Sequence, residues 1–576
     1  MADQLTGRFL DEPVTIELRA AGADETELTQ VADVRGETPA GKLAAAFSLP
    51  YAERLAGSVV WNASMRVPAR RAKRPFSIQI TSDLDQLTST LAQPLTKAAG
   101  TPEPLLMDVS LPERGRLQVS GRIERGVSWA LEFLSRRQPK AGWRLERGGL
   151  RSGPVLASLP AEPGLEIGGT FASLRFEDWF PGRSVRANAG EASADLIREI
   201  GIEAGTFAVL GRVFRDVQLD ARRASGEWRI DVRGPSAAGT ITVPVSQSDD
   251  APTLLDMQRL WLLEADPSVG DGVADPRNLP PVRASIADFA LKEMRFGKLT
   301  AELVQRGDGV VVEPLVMESP TFRISGDATW VVEDNDVRRQ RSELRLQLQS
   351  TQIGPTLQAL GYAPVVEGEK AAVTLDLFWP GGPSEDFLNA AGGRVVVVLD
   401  KGQFLSVDPR GGRIVGLLSI AALPRRIGLD FSDVVDKGLA FDEVKGEFRL
   451  DKGNAFTCNL GLGGPATDIG ILGRVSLRDR TYDQLAVVRP HVSDMLAVGG
   501  FVGGPLVGGT VLLISQIFRK PLSSLGESYY RITGSWDQPV IEKVQRSQVD
   551  VTPFRNCERY LAEALKELPP EAELTR

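Results

Sequence analysis

The chain has 576 residues, 42% hydrophobic and 25% charged, with a formal net charge of −8. That apolar content excludes wholesale disorder, and the mild, interleaved charge excludes a nucleic-acid binder built on a sustained basic face, since the basic residues cluster only briefly at Arg70-Arg71-Ala72-Lys73-Arg74. The two cysteines, Cys458 and Cys557, are too few and too distant to define a disulfide framework, and the length fits roughly three or four ordinary domains or one elongated repetitive body.

From the start, Met1 to Leu10 is polar and lacks the apolar core of a secretory signal. This leaves a cytoplasmic protein or the C-terminal part of a longer exported chain. The second is expected, because the opening MADQLTGRFLDEPVTIELRA already reads as the middle of a β-sheet protein. Strict alternation then recurs along the chain. It places Phe76, Ile78 and Ile80 on one face of a strand, and likewise Leu117, Val119 and Ile123, then Trp228, Ile230 and Val232. Leu344, Leu346 and Leu348 alternate with Glu343, Arg345, Gln347 and Gln349, and Val373, Leu375, Leu377 and Trp379 form the next such set. Period two with polar alternates predicts half-exposed antiparallel strands. Turn signals separate them at Asp308-Gly309, Gly381-Gly382-Pro383 and Asp451-Lys452-Gly453. Strands closing on glycine then tryptophan (Gly57 to Trp61, Gly326 to Trp330, Gly534 to Trp536) read as a loose internal repeat, set against chance recurrence in a Gly-rich β protein.

Helical pattern is scarce. Short helices are expected over Leu84–Lys97, Ala194–Ile202, Gly354–Leu360 and Leu417–Leu423, and clearer ones over Met495–Phe518 and Pro553–Leu568, where Tyr560, Leu561, Ala564, Leu565 and Leu568 make one stripe. The predicted fold class is mainly β: an elongated, curved, antiparallel, repeat-like sheet with a short helical, membrane-facing C-terminal element. The expected segments are two β-groove stretches, 1–165 and 166–325, a β region 326–490, an apolar Gly-rich helical hairpin 491–525, a final strand 526–545, and an amphipathic helix with tail 546–576. So few helices cannot cover the apolar face of so much sheet. Either sheets pack into filled sandwiches or a curled sheet leaves an apolar groove.

The run Met495–Phe518 carries no ionisable side chain and ends at Arg519-Lys520-Pro521. It admits three readings: a helix spanning the bilayer, a re-entrant hairpin broken at Gly503-Gly504-Pro505, or a plug against the sheet's own apolar face. The membrane-contacting set is Gly503, Gly504, Pro505, Leu506, Val511, Leu512, Leu513, Ile517 and Phe518, with Arg519 and Lys520 at head-group level. Leu344, Leu346, Leu348, Val373, Leu375 and Leu377 are the candidate lining of a groove, or an ordinary packed core. Cys458 reads as a buried structural thiol sharing a strand face with Phe456, Leu460 and Leu462.

Catalysis has little support, and no catalytic residue, metal ligand or cofactor site is expected. His491 is the single histidine, in a loop-like stretch, and no HExxH, CxxC, P-loop or GxSxG occurs. Asp271 and Asp275 are expected in a solvated loop rather than around Ca²⁺.

The stretch from Gly411 to Glu542 resembles the C-terminal part of the YhdP family of AsmA-like proteins. The specific pieces are Leu417-Leu418-Ser419 with Leu423-Pro424-Arg425-Arg426, Phe441 through Gly446-Glu447-Phe448, Gly464-Pro465-Ala466, Gly503-Gly504-Pro505 with its apolar run, and Tyr530 through Trp536 before Pro539. Weaker likeness upstream includes Tyr51 to Leu55 with Gly57 and Trp61, and Gln93 to Lys97. The resemblance implies an envelope protein of Gram-negative bacteria, related in kind to the TamB group. Its implied body is a long β-groove that crosses the periplasm and carries phospholipid toward the outer membrane. It also implies an N-terminal inner-membrane anchor, which the fragment reading places upstream of Met1. The expected function is bridge-like phospholipid carriage with no chemical step and no nucleic acid. The alternatives are a structural or regulatory scaffold of envelope assembly without lipid, and an enzyme of envelope glycan or lipid metabolism.

Overall fold

The computed structural model describes residues 5–21, 29–47, 52–68, 75–136, 142–179, 196–245, 251–266, 274–383, 386–405, 439–465, 467–490 and 527–549. They are mainly strand, as the alternation predicts, in an antiparallel-rich sheet. The chain divides into two compact units, Met1–Gly270 and Asp271–Arg576. The expected segment limits at 165 and 325 fall inside strands.

The first unit is a meander in which each strand pairs with the next. Its strands are β1 (Leu5–Phe9), β2 (Glu12–Ala21), β3 (Thr29–Pro39), β4 (Ser58–Pro68), β5 (Phe76–Ser82), β6 (Leu105–Glu113), β7 (Arg116–Ile123), β8 (Val127–Arg136), β9 (Gly142–Ser152), β10 (Gly164–Arg175), β11 (Ile197–Val209), β12 (Arg212–Ala224), β13 (Glu227–Arg233), β14 (Ala237–Pro244) and β15 (Thr253–Leu262). All neighbours are antiparallel except β9–β10 and β10–β11, which are parallel. The second unit is antiparallel throughout: β16 (Val282–Leu291), β17 (Met294–Arg306), β18 (Gly309–Glu318), β19 (Phe322–Val332), β20 (Gln340–Ser350), β21 (Ala371–Pro380), β22 (Gly392–Phe404), β23 (Leu439–Asp451), β24 (Asn454–Gly463), β25 (Thr467–Ser476), β26 (Thr481–Pro490), β27 (Ser528–Ser535) and β28 (Pro539–Val544).

Two-residue turns set the register of several hairpins. Leu10-Asp11, Leu210-Gly211, Ser225-Gly226 and Lys452-Gly453 all have positive φ at both positions, the turn whose twist matches paired strands. The second unit holds a continuous apolar core that includes Phe404, Phe441, Phe448, Leu460, Ile471 and Ile532.

Some expectations are corrected. Leu84–Lys97 is not a helix. It folds as tight turns around a short pairing of Leu55–Ala56 with Thr88–Ser89. Lys97 is buried there, its ammonium donating to the carbonyls of Asp85, Leu87 and Ala98 at 3.4, 3.1 and 3.1 Å, so carbonyls that a helix would have used internally are turned inward instead. The described part of the expected helix Ala194–Ile202 is not helical either. From Ile197 it is strand, because β10 and β12 pair with it on both edges and tertiary pairing overrides local propensity. The helix at Gly354–Leu360 is present as Ile353–Ala359. In β24 a bulge between Thr457 and Leu460 moves Leu460 and Leu462 to the face of Ala455 and Thr457, so they do not share a face with Phe456 and Cys458. Cys458 is buried, as expected, but it is disulfide-bonded rather than a free thiol. The helices expected over Leu417–Leu423, Met495–Phe518 and Pro553–Leu568 lie outside the described residues.

The segment after β9 runs back over one face of β8. Ala157 N–H donates to Ser128 Oγ at 2.9 Å, and Arg147 Nη1 donates to the Pro160 carbonyl at 2.9 Å. Beneath it Glu132 is buried and accepts from Arg116 Nη1 (2.7 Å), Gln118 Nε2 (2.8 Å) and Arg147 Nε (2.9 Å). Burial pushes this carboxyl up, but the hydrogen bonds from Arg147, Gln118 and Arg116 outweigh it and hold the pKa at about 2. The stabilisation is therefore complete above the ordinary value of 4.5 and is lost as pH falls toward 2. Acid titration of unfolding should show Glu132→Gln flatter than wild type in that window by about 3 kcal/mol. Parallel curves would mean that the cluster is not assembled.

Candidate functional site: the apolar sheet face

Pairing register joins side chains from strands far apart in sequence. In the first unit, Leu5, Ile16, Val34, Ala63, Ile80, Met107, Gly121, Trp129, Leu150, Ile167, Ile200, Ala221, Ile230, Ile241 and Leu255 are successive register partners from β1 to β15. No polar side chain interrupts this row. A second row beside it runs Leu18, Ala32, Met65, Ile78, Val109, Val119, Leu131, Gly148 and Leu165. The opposite face carries a polar row, Glu17, Asp33, Ser64, Gln79, Asp108 and Ser120.

The apolar rows are not sealed. In the first row only Ala221 is buried; Leu5 is exposed and every other member is half-buried. A filled sandwich would bury such a face almost completely.

In the second unit the six predicted lining residues come together. β20 and β21 pair Leu344 with Leu377, Leu346 with Leu375 and Leu348 with Val373, all on one face. Each pair extends both ways. Ile286, Leu299, Met317 and Ile324 lead to Leu348, and Val373 leads to Val397 and Gly446. Burial is graded along this face. Leu344, Leu346, Leu348, Val373 and Leu375 are half-buried, while Leu377 is 3% exposed and belongs to the core cluster. From β22 onward the face is closed: Phe448, Leu460, Ile471 and Ile532 are fully buried.

The predicted membrane-contacting residues, Gly503 through Lys520, lie outside the described residues, as does His491. Their attachment points are described. β26 and β27 remain paired at Val488–Ser528, and Arg489 Nε donates to Glu527 Oε1 at 2.8 Å while Tyr529 OH donates to Glu527 Oε2 at 2.9 Å. The described part of β22 ends at Phe404, which pairs with Leu439, the first described residue of β23. Pairings Glu443–Gly463, Gly463–Asp468 and Thr467–Pro490 place the ends of β22 and β26 at the same end of the sheet.

Elsewhere the site chemistry is thin. Asp275 caps the turn Pro276–Asn278 and pairs with Arg277, which holds its carboxyl below the ordinary value; Asp271 lies outside the described residues. Among the described residues no group of three or more His, Cys, Asp or Glu is placed to hold a metal ion, and no helix is long and apolar enough to cross a membrane. The rows through Met107, Trp129 and Ile167 were not singled out from the sequence. Their alternation was available, but not the register that joins them.

These features define a class: β-sheet proteins whose distinctive surface is an apolar sheet face. The chain belongs to the YhdP protein family, whose model matches residues 1–541. It is 23% identical over 575 residues to a protein of Escherichia coli (strain K12) named intermembrane phospholipid transporter YhdP, covering 95% of this chain and 43% of that protein. The chain thus spans less than half the length of that relative. No solved structure matches.

The burial gradient sets a measurable contrast. Ile471→Ala should cost about 3 kcal/mol in denaturant unfolding, because it empties a sealed site, whereas Ile80→Ala should cost about 1 kcal/mol or less. Equal costs would mean that the first unit's face is packed as a core.

Proposed function

We propose that this chain carries phospholipid between the two membranes of a Gram-negative envelope, acyl chains sliding along the apolar sheet face and head groups left in water. One observation carries the reading: the first apolar row is uninterrupted from β1 to β15 and, Leu5 and Ala221 apart, half-buried, as a surface meant for a removable apolar occupant would be. Such a surface needs no reactive group, because burial stabilises a chain by about 0.8 kcal/mol per CH₂ without directional contacts. The family membership and the relative named as an intermembrane phospholipid transporter support the same cargo. The place of action is the periplasm, with no chemical step and no cofactor.

The lining includes Leu344, Leu346, Leu348, Val373, Leu375 and Leu377. The run Gly503–Phe518 with Arg519 and Lys520 is the membrane-contacting element, delivering or accepting lipid at the outer-membrane end. A firm neck suits that role, and the Arg489–Glu527 pair, with side chains 18% and 6% exposed, fastens the strands on either side.

The test is transfer of a fluorescent phospholipid between donor and acceptor vesicles by the purified chain. Leu346→Asp and Leu375→Asp should each cut the transfer rate at least about tenfold, because a carboxylate on an apolar path is costly to desolvate, while Gln347→Asp on the opposite face should leave it unchanged. Equal loss from both faces, or transfer untouched by either aspartate, would contradict the reading.

A further inference from the structure

From β24 to β27 the sheet buries side chains on both of its faces. One face belongs to the core and includes Ala455, Leu460, Ile471, Ala486 and Ile532. Phe456, Cys458, Leu472, Val487 and Tyr529 are also buried, at 2–6% exposure, yet none of them belongs to that core cluster. Register sets them on the other face: Leu472 pairs with Leu485, and Gly470 leads to Val487 and Tyr529. In β20 to β23 the same face is charged and exposed. Arg345, Asp376, Arg394 and Arg449 are successive partners there, and the row changes character at the next partner, Phe456.

Apolar side chains buried this well need neighbours on the side facing away from their own sheet. Among the described residues the α-helices Ala40–Ala46, Phe176–Trp179 and Ile353–Ala359 lie against other strands. Cys458 identifies what covers the patch. It is disulfide-bonded, and the other cysteine of the chain is Cys557. The stretches 406–438 and 491–526, which also lie outside the described residues, hold no cysteine. A disulfide brings its two Cα atoms within about 7 Å, so the partner of Cys458 lies over this face.

The sequence around Cys557 suits that position. Cys557, Tyr560, Leu561, Ala564, Leu565 and Leu568 recur at helical spacing on one stripe, with Arg559, Glu563 and Lys566 opposite. Thr552-Pro553 is a helix start and Pro569 a stop. The reach is sufficient. Val544, the last residue of β28, pairs with Tyr529 on the buried patch. β24 lies four strands from β28, about 19 Å. The eight residues from Val549 to Cys557 extend up to about 28 Å. Gly461 and Gly470, paired and buried in the middle of the patch, put no side chain in the way of an approaching helix.

We propose that Pro553–Leu568 docks as a helix on the outer face of β24–β27 and is fastened there by a Cys458–Cys557 disulfide. Closure breaks two S–H bonds and forms one S–S bond. The two electrons and two protons pass by thiol–disulfide exchange to a donor disulfide, which is released as a dithiol. The apolar stripe is then occupied by the protein's own sheet rather than by a lipid surface. The clasp braces β26 and β27, the strands that flank residues 491–526. The bond persists in an oxidising compartment, and the proposal stands independently of lipid carriage.

Two measurements on the full chain test it. In the first, wild type purified without reductant is denatured, its free thiols are alkylated, and its peptides are mapped by mass spectrometry. A linked pair joining the Cys458 and Cys557 peptides should appear and vanish on reduction. Cys458 alkylated as a free thiol, or joined to a second copy in a dimer on a non-reducing gel, would overturn the proposal. In the second, Cys557→Ser frees the Cys458 thiol, and its iodoacetamide labelling in the folded chain reports whether the face stays covered. Adding Leu561→Asp with Leu565→Asp should speed labelling at least about tenfold, because carboxylates on the docked stripe favour the open state. Unchanged far-ultraviolet circular dichroism separates undocking from unfolding, and Leu565→Asp alone repeats the test if the pair folds poorly. Equal labelling rates with and without the aspartates would overturn the helix as the cover.

Discussion

An antiparallel sheet with one apolar face must place that face against something, and here the register makes the face continuous. Pairing, rather than any single strand, turns isolated Leu, Ile, Val and Met side chains into rows, one of which runs from β1 to β15 in the first unit, and others across strands of the second. The polar alternates form the other face by the same geometry. Among the described residues helices are short, such as Ala40–Ala46 and Ile353–Ala359, and cannot cover such an area. The consequence is a half-buried surface through the first unit and a sealed one beyond β22 in the second.

The two kinds of surface call for different energetics. At Ile471 or Phe448 the neighbours are the protein's own side chains, and the burial stabilises the fold. At Ile80, Met107 or Leu346 part of the same apolar area still faces solvent, so its burial remains to be gained from another molecule. Fixed polar features sit away from the open rows. Glu132 with Arg116 and Arg147 fastens the strap over β8, Lys97 organises the turns before β6, and Arg489 with Glu527 holds the strands beside residues 491–526 together.

Much of this was legible in the sequence, because period two is a local property. SELRLQLQS and AAVTLDLFW gave two strands and the side chains on their inner face, and the structure pairs those residues one to one. What could not be read was non-local. The rows through Trp129 and Ile167 depend on register between strands, which alternation leaves free. Residues 84–97 have a helix-like spacing, yet the buried Lys97 ammonium takes their carbonyls instead. Ile197–Val209 lies between two partner strands, which overrode a local pattern that had read as helical. The bulge at Thr457–Leu460 shifts one residue, enough to move Leu460 and Leu462 to the face opposite Cys458, and no composition signal marks it.

The central claim is that lipid lies on one face of the sheet and not the other. Site-specific photocrosslinking in cells tests it directly: a photoreactive residue placed in turn at Ile80, Met107 and Trp129, and at Gln79, Asp108 and Ser120 on the opposite face, with adducts identified by mass. Phospholipid adducts should form at the first three positions and be absent from the second three. Adducts on both faces alike, or on neither, would contradict the account.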